Sequence, residues 1–136
     1  MSIAYRVDRL AQRILVTVHG PVTLDDLTDY VMERLANDVL GLDQLFDARN
    51  ADLKLSPDQI TLWIEREYTA LRGNRPGSIA LVASDGATYG HLRMIQTLIE
   101  LAGVHSAVFR DIETAERWLT VRRAMGEPPE AKGGVA

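Results

Sequence analysis

Ser78-Ile-Ala-Leu-Val-Ala83 is the stretch that decides the fold class. It is apolar throughout, too short for a typical helix and without the alternation of a half-exposed strand, which is how a strand covered on both faces reads. Ser84-Asp85-Gly86 follows as a turn. From about Thr88 to Ala102, His91, Leu92, Ile95, Leu98 and Ile99 fall on one side of a helix that Gly103 closes. A doubly covered strand leading into an amphipathic helix is half of a parallel crossover, so strands and helices should alternate around it.

They do. Downstream, Ser106 to Arg110 reads as a fifth strand, and Asp111 caps a last helix from Glu113 to about Ala124 with Ala115, Trp118 and Leu119 inward. Upstream, Ser56-Pro57-Asp58-Gln59 gives a serine cap, proline at the first helical position and glutamine three residues after the cap. Ile60, Trp63, Ile64, Glu67, Tyr68 and Leu71 continue that helix as a stripe, with Trp63 and Trp118 expected in the core. Before it, Asp43 to Asp47 reads as a short third strand followed by a polar loop, Ala48 to Leu55. At the start, Ile3 to Val7 and Arg13 to His19 form a hairpin that Gly20-Pro21 ends. Thr23 then caps a helix from Leu24 to Asn37, predicted to bury Leu27, Val31 and Leu35. The order ββαβαβαβα predicts a single α/β domain over residues 1–125. Its five-stranded mixed sheet should be antiparallel at the first pair and parallel after it, with strand order left open. Residues 126–136, with two prolines and two adjacent glycines, read as a disordered tail.

Composition fits one ordinary core: 136 residues, 46% hydrophobic and 25% charged. No apolar run reaches the roughly 20 residues that span a bilayer and no signal-peptide pattern opens the chain, so the expectation is a cytoplasmic protein that is not an integral membrane protein. Without cysteine and with three scattered histidines, thiolate chemistry and cysteine-ligated metals are excluded, and neither a metal nor a cofactor is expected. A net charge of -4 argues against nucleic acid as a partner. Lys54 and Lys132 are the only lysines among fifteen basic residues, a bias that genome composition explains.

Three stretches carry a family resemblance: Leu45-Phe-Asp-Ala-Arg49, Ser78 to Met94, and Ala107 to Leu119. They resemble the strand-helix units of small bacterial STAS or SpoIIAA-like proteins, the anti-sigma-factor-antagonist family, which is related in turn to the lipid-binding Sec14 type of domain. The resemblance covers about residues 3 to 121. It implies a SpoIIAA-like sheet and a regulatory role through protein contact. True antagonists carry a phosphorylatable serine or threonine in the loop after the third strand. The matching stretch here, Asp47-Ala-Arg-Asn-Ala-Asp52, has none, and Ser56 is explained by its capping role.

In such sheets ligands bind beyond the carboxyl ends of the parallel strands, so candidate binding residues lie in two loops: Asp47, Arg49 and Asn50 in the first, and Ser84, Asp85, Tyr89, His91 and Arg93 in the second, with Thr88 among them. The second loop opens a helix, whose free N–H groups suit an anion. Its glycines, Gly86 and Gly90, make no phosphate-loop or dinucleotide fingerprint. Ser84, His91 and Asp111 lack the surroundings of a hydrolase triad, and Asp25/Asp26 and Glu65/Glu67 read as solvated helix faces. Arg117, Arg122 and Arg123 form a basic cluster that the dipole of the last helix accommodates. The expected function is a non-enzymatic regulatory or interaction module for a protein partner or a second copy of itself. The alternative is a small-molecule or lipid-binding module with a pocket near Ser84 to Arg93.

Overall fold

A computed structural model describes residues 3–84 and 86–125, so the expected tail at 126–136 lies outside the described residues. The elements run β1 (Ile3–Asp8), β2 (Arg13–Pro21), α1 (Leu24–Ala36), β3 (Asp43–Asp52), α2 (Pro57–Leu71), β4 (Ile79–Val82), α3 (Gly86–Leu101), β5 (Ser106–Phe109) and α4 (Ile112–Ala124). They form one five-stranded sheet in the order β1-β2-β3-β4-β5. The β1/β2 pair is antiparallel and each later pair is parallel, as the element order predicts.

The two-residue strand period divides the core between the sheet's faces. Ile14, Val16, Val18, Phe46 and Leu81 meet α1, α2 and α3 in the main cluster. Leu45, Ala80 and Val82 meet Ala115 and Leu119 of α4 on the other face, with Trp118 half-buried there beside Phe109. β4 thus contributes to both cores, the reason its sequence is continuously apolar. On the main face, aromatic rings run edge to face from Tyr5 to Tyr30 and Phe46, then on to Trp63, with centroids 5.6, 6.4 and 6.3 Å apart.

The caps follow the sequence. Thr23 and Ser56 each close a reciprocal capping box with the residue three places on, and Asp111 accepts from the Thr114 N–H. Three expectations need correction. Gly20-Pro21 does not break β2 but forms its last two residues: Gly20 takes a left-handed φ of 64°, and the strand stays paired with Ala51 and Asp52. β3 is correspondingly longer, and most of the expected polar loop is strand, with a bulge opposite Val18 where the register shifts between Thr17 and His19.

The third correction lies on α1, where Leu35 is 37% exposed and Arg34 is fully buried in its place. Its guanidinium donates to both Glu67 carboxylate oxygens at 2.9 and 2.6 Å and to the Leu40 carbonyl at 3.0 Å. It also lies 4.7 Å from the Tyr30 ring centroid, so one side chain ties α1 to α2. Burial works against its charge, but Tyr30 and Glu67 hold the pKa above the ordinary arginine value. Glu67 is therefore one half of an enclosed ion pair and does not belong to a solvated face. Among the described residues, no helix is long and apolar enough to cross a membrane.

Candidate binding surfaces

β4 pairs only with Gln44 to Asp47 of β3, so β3 runs on past its neighbour toward the start of α3. This overhang brings the two predicted loops together on the helical side. Asp52, Leu53 and Lys54 face Ala87, Thr88 and His91 across a groove of about 220 Å3. His91 is half-buried, and its Nε2 is enclosed with no hydrogen-bond partner among the described residues. Lys54, paired with Asp52 at 3.5 Å, puts a cation on the rim. This groove can take up a small polar molecule that accepts or donates a hydrogen bond at His91.

The other predicted residues lie elsewhere. Asp47 and Arg49 form a bidentate pair, both contacts at 2.9 Å, while β2 pairing sets Thr17 beside Asp47 and His19 beside Asn50 on the opposite sheet face. Burial pushes the Asp47 carboxyl up. The hydrogen bonds and charge of Arg49, with His19 nearby, outweigh this and hold it below the usual carboxylate range. Tyr89 lies under Arg110, with the guanidinium carbon 4.1 Å from its ring centroid. Ser84 and Arg93 are exposed, and Asp85 lies outside the described residues. The sheet thus separates the candidates of the two loops: Asp47, Arg49 and Asn50 lie on one side and His91 on the other. Asp52, Lys54 and Arg110, which the sequence reading passed over, join these groups. Lys54 had only its rarity to mark it.

A second surface lies on the helical layer. A groove of about 680 Å3 runs between α2 and α3, lined by Ile64, Tyr68, Leu98, Leu101 and Ala102, with Thr61, Glu65 and Thr69 along its rim. Tyr68 closes its floor by donating to the Ala102 carbonyl. Leu101 is 80% exposed, and Met32 and Leu62 add further exposed apolar groups on α1 and α2. Beneath the groove, the apolar cavity between Trp63, Leu71, Ile79 and Ile99 measures about 20 Å3, room for about one water. Among the described residues no group of three or more histidine or carboxylate side chains lies close enough to hold a metal ion. No protein-family model matches the chain, and no curated protein matches it.

Proposed function

We propose that the chain is a non-enzymatic regulatory or interaction module whose helical layer docks a protein, a second copy of the same chain being the partner. One observation carries this reading: Leu101 stands 80% exposed at the edge of the apolar α2/α3 groove. Exposed apolar surface rimmed by polar residues is typical of protein contact sites. The two helices carry exposed charges of both signs, Glu65 on α2 and Arg93 and Glu100 on α3. A two-fold arrangement can therefore set unlike charges opposite one another. The STAS-like order of elements supports the same reading. The hydroxyl missing from Asp47 to Asp52 directs it toward constitutive contact and away from a phosphorylation switch. Sedimentation velocity over a wide concentration range tests it: the mass should rise toward a dimer, and Leu101→Glu should hold the chain as a monomer. A monomer at every concentration contradicts the reading.

A second reading, a small-molecule module, is favoured by the enclosed Nε2 of His91 in the 220 Å3 groove, which has no partner among the described residues. The ligand on this reading is small and polar, matching the groove of about 220 Å3 that Asp52, Lys54, Thr88 and His91 line. Native mass spectrometry should find a co-purified small molecule that His91→Phe loses. Bare protein in both samples removes this reading.

A further inference from the structure

At the opposite end of the sheet, where the parallel strands begin, Arg13 and Asp43 open β2 and β3, and Ser78 directly precedes β4, on the face covered by α4. Arg13 is only 7% exposed, yet among the described residues its one side-chain hydrogen bond is from Nη2 to the neutral Thr120 hydroxyl at 3.2 Å, and its Nε is enclosed without a partner there. Two more guanidiniums reach the same place from the last turn of α4: Arg122 Nε donates to Ser78 Oγ and Arg123 Nε to Asp43 Oδ2, each at 3.3 Å. The carboxylate at the centre, Asp43, is already engaged, taking the Ser78 N–H on its other oxygen at 2.9 Å. Asp8 stands opposite Arg13 in β1, but its carboxylate accepts the Ala11 N–H.

Three guanidiniums thus converge around one buried carboxylate, Asp43, which among the described residues pairs with Arg123 alone, and another of the three, Arg13, is buried with donor capacity unused. A buried cation is costly unless it is paired, and planar guanidinium forks match tetrahedral oxyanions geometrically. We propose that Arg13, Arg122 and Arg123, with the Thr120 and Ser78 hydroxyls, form a binding site for a phosphate-type oxyanion, remote from both grooves. The dipole at the end of α4 explains basic residues in its last turn. It does not explain the enclosed, half-satisfied Arg13 that reaches them from β2.

The test is a titration of the isotope-labelled full chain with inorganic phosphate, following the arginine Nε–H resonances in NMR against chloride at matched ionic strength. Saturable shifts at Arg13, Arg122 and Arg123 are expected with phosphate alone. The variant pair Arg122→Gln/Arg123→Gln should weaken binding by about tenfold or more, the scale of lost charge-assisted hydrogen bonds. Arg72→Asn keeps the left-handed C-cap of α2 and removes a charge on the other layer. It should bind as the parent does, which separates a site from a general charge effect. Shifts that never saturate, that chloride reproduces, or that survive the Arg122/Arg123 substitutions overturn the proposal.

Discussion

Removing the Arg34 side chain would leave the Glu67 carboxylate, 15% exposed, facing a buried space without its cation. Breaking an enclosed pair from one side costs about 3 to 5 kcal/mol. Arg34→Ala should therefore lower unfolding free energy in urea by about 3 kcal/mol, the lower end because Glu67 retains some solvent. Arg34→Met/Glu67→Met should recover most of that loss. A double variant as unstable as the single one would show that the pair itself supplies the stability. The same side chain shows where residue-level reading fails. Helical spacing from Leu27 and Val31 points to both 34 and 35, and hydrophobicity alone selects leucine, whereas the partner that makes arginine suitable lies on another helix. Asp47 gives a pH prediction. Its folded pKa is depressed, so its contribution is complete above the unfolded value of about 3.9 and is lost as pH falls through the folded value. Asp47→Asn should therefore melt below the parent near neutral pH, with the gap closing as the solution is acidified below about pH 4. A gap of constant size across that range would assign its effect to packing.

Among the elements, the helices were the legible part because their signals are local. Ser56 with Pro57 and Gln59 names the start of α2 to the residue, and Ser56→Ala should cost about 1 kcal/mol by chemical denaturation, the usual worth of a cap. The second half of β3 was not legible. Ala48 to Leu55 has the polar composition of a loop, and what makes 48–52 a strand is the continued pairing of β2 beyond a bulge, a long-range fact. That error also blurred the site. A loop could have brought Arg49 and Asn50 toward His91, while a strand in fixed register keeps them on the far face. Gly77 shows the reverse case, a loop residue just before β4 with a packing reason. A Cβ there would lie 2.5 Å from the Leu42 carbonyl oxygen, a backbone atom that cannot swing away. Gly77→Ala should displace the start of β3 and destabilise the fold, detected as a lower melting temperature with amide shifts at Leu42 and Asp43. Unchanged melting and shifts would mean the loop accommodates the methyl.

For the whole molecule, the sheet separates three surfaces with different chemistry. The three-helix layer carries the apolar groove and Leu101, the carboxyl ends of the strands carry the His91 groove, and their amino ends carry the arginine cluster. Fold class, element order and the antiparallel-to-parallel change were readable from periodicity. The strand order was not, because several orders satisfy the same pattern. The central claim is that the helical layer is a contact surface between copies. Its most direct test is a photoreactive apolar residue placed at position 101, with position 17 on the opposite sheet face as control. Irradiation in solution should give a covalent dimer from position 101, mapped to α2 or α3 of the second copy, and none from position 17. Equal crosslinking from both positions, or none from position 101, would contradict it.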